Sequence, residues 1–131
     1  PGALTRGRPK FRAGELHVRE EEMIDIRGKQ LQLGETVLDL KHPILDARQF
    51  SDRIVVIFDY MDFPKWRQAR NLRAFNLQGK ELWIAEHPTN ETTDCYVNFM
   101  KDDPLTVGNF AGYRCIIDTS TGKLLESVFT K

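Results

Sequence analysis

The sequence is poor in the residue types from which reactive centres are built. Among 131 residues it has two cysteines and three histidines. His17, His42 and His87 lie far apart, and no pair of them or of cysteines has the i, i+4 or Cys-x-x-Cys spacing that makes a metal site persuasive. Each histidine therefore reads as a surface or strand-end side chain. Cys95 and Cys115 sit in strand-like stretches with apolar neighbours, where a free thiol behaves as a small buried hydrophobe. In a secreted chain the same pair would suit a disulfide, and Asn90-Glu91-Thr92 a glycan acceptor. There is no nucleophile elbow, phosphate-binding loop or zinc-helix motif. No metal or cofactor is called for, and enzymatic activity is the minority reading.

Surplus charge is missing as well. Nineteen basic and nineteen acidic side chains cancel, leaving no long-range field for nucleic acid or an anionic surface, which argues against a dedicated nucleic-acid binder. The longest apolar run, Ile54 to Phe58, is far short of the ~20 residues that span a bilayer, and no basic-then-apolar signal segment opens the chain. A soluble, cytoplasmic protein is expected, with no membrane contact. Long segments of 3.6-residue periodicity are also lacking, so the fold class is all-β.

What is present is short strands at even spacing. Residues 1–22 form a charged arm, with four basic residues and no acid in PGALTRGRPKFR and then a run dominated by Glu15, Glu20, Glu21, Glu22 and Asp25. The chain begins on Pro1, and Met23, where the pattern changes, is an alternative natural start. From Met23 the period becomes two, and MIDI, the Arg27-Gly28-Lys29 turn and QLQL read as a β-hairpin over 23–36. Two quartets follow within one β domain spanning 23–131. The first, 44–87, contains ILDARQF, RIVVIFDY, NLRAFNL and ELWIAEH; the second, 95–131, contains CYVNFMK, LTVGNF, YRCIIDT and KLLESVF. Each quartet is expected to be a four-stranded antiparallel meander. RIVVIFDY is apolar throughout, as in a strand covered on both faces, and Trp83 is expected to anchor packing between strands.

The quartets match at their ends. AFNLQGKELW and IIDTSTGKLLE share an apolar strand, a polar residue, a Gly-Lys turn and a second apolar strand, with Gly79 and Gly122 separated by 43 residues. That spacing falls in the ~40–50 residue range of propeller blades. AFNLQGKELW, with Trp83, resembles the third-strand, turn and fourth-strand signature of quinoprotein-like β-propeller blades; IIDTSTGKLL repeats it with Leu125 in place of a tryptophan. The resemblance covers residues 44 to 131 and implies blade architecture alone. Two blades cannot close the ring that holds a quinone and metal in the enzymes of that superfamily, so no cofactor residue carries over. The layout is also similar to short bacterial proteins with paired blades, immunity proteins for secreted toxins among them. Because stacked repeats need neighbours to cover their faces, either the N-terminal hairpin packs over one open face or a second copy of the chain supplies blades to complete a larger ring or sandwich. The apolar final strand slightly favours a homo-oligomer, most simply a homodimer.

The candidate site is an insertion that only the first quartet carries, MDFPKWRQARN. It concentrates Tyr60, Phe63 and Trp66 with Lys65, Arg67, Arg70 and Arg73, a mixture that gives recognition surfaces large contact area at small entropic cost. The competing reading is a structured loop with a helical turn started by Asp62 and Pro64, its aromatics folded onto the sheet. Asp39, Asp46, Asp59, Asp62, Asp94 and Asp118 fall near strand ends, where acids usually cap turns. The expected function is non-catalytic binding of a protein partner; the alternative is a small-ligand or hydrolytic site between the blades or at a homodimer interface.

Overall fold

A computed structural model describes residues 23–130. The charged arm 1–22 and His17 lie outside the described residues. The strands are β1 (Ile24–Arg27), β2 (Gln30–Leu33), β3 (Thr36–Asp39), β4 (Ile44–Phe50), β5 (Arg53–Phe58), β6 (Leu72–Asn76), β7 (Glu81–Ile84), β8 (Tyr96–Asp102), β9 (Leu105–Asn109), β10 (Tyr113–Ile117) and β11 (Leu124–Phe129). They form three antiparallel sheets in the orders β1-β2-β3, β4-β5-β6-β7 and β11-β10-β9-β8. Each is a meander of sequential hairpins, and none closes into a barrel.

The N-terminal unit is a three-stranded sheet, one strand more than the hairpin expected from the sequence. After the left-handed Gly34 (φ 60°) the chain returns as Thr36–Asp39, pairing Leu38 with Leu31 and Thr36 with Leu33. Only Leu38 of this strand is buried, while Val37 points to solvent, so the alternation that marks a strand is too short to read.

The sheets pack through two cores that meet across β5. Ile54, Val56 and Phe58 face the N-terminal sheet and join Leu31, Leu33, Leu38 and Phe75. Val55 and Ile57 face the other way and join Leu72, Ala74, Trp83, Tyr96, Leu105, Val107, Cys115 and Ile117. A period of two with both faces covered explains why RIVVIF carries no polar residue after Arg53. The first four-stranded sheet is thus the middle of three layers.

Both four-stranded sheets turn their last corner alike. In β6–β7, Asn76 Oδ1 accepts from the Gln78 and Lys80 amides and Gly79 takes φ 88°. In β10–β11, Asp118 Oδ1 accepts from the Ser120 amide and Gly122 takes φ 79°. Side chains with a Cβ resist that backbone region. The second corner also docks on the first sheet. Trp83 Nε1 donates to Thr119 O at 2.9 Å, the Glu86 amide to Gly122 O at 3.0 Å, and the Leu124 amide to Glu86 Oε1 at 2.7 Å.

A polar joint ties the two sheets at their other end. The side chain of Asn71 acts as a short strand against Tyr96: Nδ2 donates to Tyr96 O at 2.8 Å and Oδ1 accepts from the Tyr96 amide at 3.0 Å. The same Nδ2 donates to Phe58 O. Asp94, fully buried, accepts from Asn109 Nδ2 at 2.6 Å, from Thr89 Oγ1 at 2.6 Å and from the Thr89 amide at 2.9 Å, and lies 2.7 Å from His87 Nδ1. Burial alone would raise the Asp94 carboxyl, but the hydrogen bonds from His87, Thr89 and Asn109 outweigh it and hold the carboxyl below its ordinary range. Of the two positions expected for it, His87 takes the strand-end one, just past β7, with its ring sealed against Tyr96 at 4.8 Å between centroids.

Candidate functional site

The connection from β5 to β6 is held at its base and open at its tip. Asp59 caps a single 3-10 turn, Tyr60–Asp62, by accepting the Met61 amide at 2.9 Å. The helical turn therefore precedes Pro64 and is not started by Asp62 and Pro64. The physical reason is that a residue before proline avoids helical backbone; Phe63 is extended at φ −109°, ψ 151°. Phe63 then stacks on His42 at 4.3 Å, and Asp62 Oδ2 meets His42 Nδ1 at 2.7 Å. At the far end Gln68 Nε2 donates to Thr89 O at 2.6 Å and Ala69 is buried.

Between these anchors the side chains point outward. Trp66 is 74% exposed and Met61 61% exposed. Arg67 lies over the Trp66 ring at 5.0 Å, a cation–π contact. The tip closes an apolar pocket of about 200 Å³ against the loop before β8 and the turn after β9. Tyr60, Phe63, Lys65 and Arg67, four of the residues singled out from the sequence, line it together with Met61, Pro64 and Ala69. Trp66 and Arg70 do not line it; both are exposed beside it.

The opposite wall was not foreseen. It consists of Thr92, Thr93, Cys95 and Phe110. Phe110 remains 61% exposed although its amide is fixed to Cys95 O at 2.8 Å. The signal in the sequence was faint: a large aromatic standing inside the turn Asn109-Phe110-Ala111-Gly112. Cys95 is buried, and burial, reinforced by the Asp94 charge, pushes its thiol up to about 11. It contributes an apolar wall and not a nucleophile. Burial likewise raises the Cys115 thiol to about 11 and the Tyr96 phenol above its ordinary value.

A second concavity, about 740 Å³, opens where the three sheets meet, lined by β1, β4, the β8–β9 turn and the end of β10. Asp46, Asp102, Asp103 and Asp118 face it with Arg48, whose guanidinium pairs with Asp46 at 2.9 Å and Asp102 at 3.5 Å. Several strand-end acids do cap backbone as expected, Asp46 for Ala47 and Asp118 for Ser120. Among the described residues no three histidine, cysteine or acidic side chains converge as a metal set. Among them, too, no helix is long and apolar enough to cross a membrane.

These features define a small all-β domain of stacked antiparallel meanders with one aromatic, basic loop projecting from the middle layer. Residues 21–129 match the domain family DUF7957, a domain of unknown function, and the chain belongs to that family. No curated protein matches it.

Proposed function

We propose that the domain is a non-catalytic protein-binding module that docks a partner on the β5–β6 insertion and Phe110. The observation that carries this reading is the exposure of Trp66, Met61 and Phe110 around one apolar pocket on a loop whose base is anchored. Large apolar side chains held in the open cost solvation and side-chain entropy, and such clusters mark interaction sites. A toxin-neutralising immunity protein of bacterial, cytoplasmic setting is the form of binder that the paired, blade-like meanders favour, and a reducing compartment suits the free thiols of Cys95 and Cys115. The propeller-blade likeness of residues 44–131 belongs to the same reading. So does a homodimer, for which the edge strand β11, with exposed Leu125 and Phe129, is the natural contact.

The test is affinity capture with the native chain and with Trp66→Ala/Arg67→Ala. Capture by the native chain and its loss in the variant, with the fold retained, is the expected result; undiminished capture by the variant removes the reading. A second reading, a small-ligand or hydrolytic site, is favoured by the cleft of about 740 Å³ between the sheets with Asp46 and Asp118 on its walls, a size that encloses small molecules. Ligand-induced NMR shifts confined to Asp46, Arg48 and Asp118 would support it. Solution mass measured against concentration tests the homodimer.

A further inference from the structure

We infer that the pocket beneath the insertion takes one apolar side chain of an acidic peptide segment, with Asp or Glu residues of the partner flanking that anchor. This rests on the protein-binding reading and adds the partner's chemistry. Size is the first support. About 200 Å³ is below the ~300–1,000 Å³ that encloses a drug-sized ligand. A space of that size suits an anchoring side chain better than a whole small molecule. The lining is the second, since Tyr60, Phe63, Pro64, Cys95 and Phe110 offer such a group an apolar seat.

Charge is the third. Lys65 and Arg67 stand at the mouth and Arg70 beside it, all exposed, and among the described residues none of them enters an ion pair. The nearby acids are engaged elsewhere. Asp59 caps the 3-10 turn, Asp62 holds His42, and Asp94 is closed in its own network. Glu91 remains as the exposed carboxylate of the facing loop. The pocket's own lining carries two cations, Lys65 and Arg67, and no carboxylate, which favours an anionic group beside the anchor. The Arg67 guanidinium, 5.0 Å from the Trp66 ring centroid, is suited to paired hydrogen bonds with a carboxylate. A nucleic acid would meet the charge but has no side chain for the pocket.

The probe is a random linear peptide library displayed on phage, selected on the native chain. Selected peptides are then synthesised and titrated by fluorescence anisotropy against the native chain, Phe110→Ala and Arg67→Glu/Arg70→Glu, with circular dichroism confirming the fold of each. Expected are sequences with one Leu, Met or Phe between acidic residues. Their binding should be lost in Phe110→Ala and should weaken about tenfold on charge reversal and in high salt. Neutral or basic peptides whose binding depends on Phe110 would overturn the acidic chemistry and leave the binding reading intact. Absence of any peptide sensitive to Phe110 would overturn both. An oligothymidylate bound equally well and equally sensitive to charge reversal would overturn the peptide in favour of nucleic acid.

Discussion

The two four-stranded sheets follow one plan, yet their corresponding corners and connections meet different surroundings. Gly79 and Gly122 occupy equivalent bends with similar backbone. A Cβ on Gly79 would find Leu38 Cδ2 at 3.5 Å, an ordinary contact, whereas a Cβ on Gly122 would fall 2.7 Å from the Trp83 ring. The β9–β10 link is the short turn 110–112, while the β5–β6 link runs from 59 to 71 and carries the exposed aromatic and basic side chains. The shared parts are spent on stacking, the unshared part on surface. Recognition is therefore sought where the repeats disagree and stability where they interlock.

The comparison is broken most severely at the joint. Asp94→Ala strips three hydrogen-bonding partners of a buried acceptor and should cost about 3–5 kcal/mol in urea unfolding. Its counterpart at the insertion, Asp62→Ala, loses an equally short contact to His42, but one in which both side chains are partly exposed. That loss should cost less than about 1 kcal/mol. Equal losses at the two sites would show that burial does not separate them. Next come the glycines. Gly122→Ala should cost about 3 kcal/mol, because strain adds to overlap with Trp83, and Gly79→Ala about 1 kcal/mol. Calorimetric midpoints falling by the same amount would contradict the packing of the second corner on the first sheet.

Titration sharpens the contrast further, with smaller effects. Asp94 releases its proton more readily folded than unfolded. Its contribution is complete above the ordinary 3.8 and is lost as pH falls through the lower folded value. Cys95 and Cys115 behave oppositely. Their thiols rise from 9.0 to about 11 on folding, so stability is full below pH 9 and declines as pH climbs through 11. Urea midpoints between pH 2 and 11 should thus fall at both ends, and Cys115→Ala should flatten the alkaline limb. An unchanged alkaline limb in that variant would mean the thiol is not shielded.

Much of this architecture was legible along the chain. The eight strands of the two meanders show themselves through short apolar runs at even spacing and through the matching Gly-Lys turns at Gly79 and Gly122, both local signals. β3 was hidden, because Thr36–Asp39 buries a single leucine. Tyr60, Phe63, Lys65 and Arg67 were legible as a composition, and the structure brings them around one pocket. Phe110 was not, since it reaches that pocket only through pairing of β8 with β9. The Asp94 network was equally opaque. Its partners stand 7 residues before it at His87 and 15 after it at Asn109, and one aspartate in PTNETTD resembles any loop acid.

The separability of surface from scaffold is tested most directly by the unfolding free energy of Trp66→Ala/Arg67→Ala/Phe110→Ala. With all three side chains in the open, a change within about 0.5 kcal/mol of the native chain is expected. A loss above about 2 kcal/mol would show that these residues hold the sheets together, and the docking surface would be part of the core's support instead.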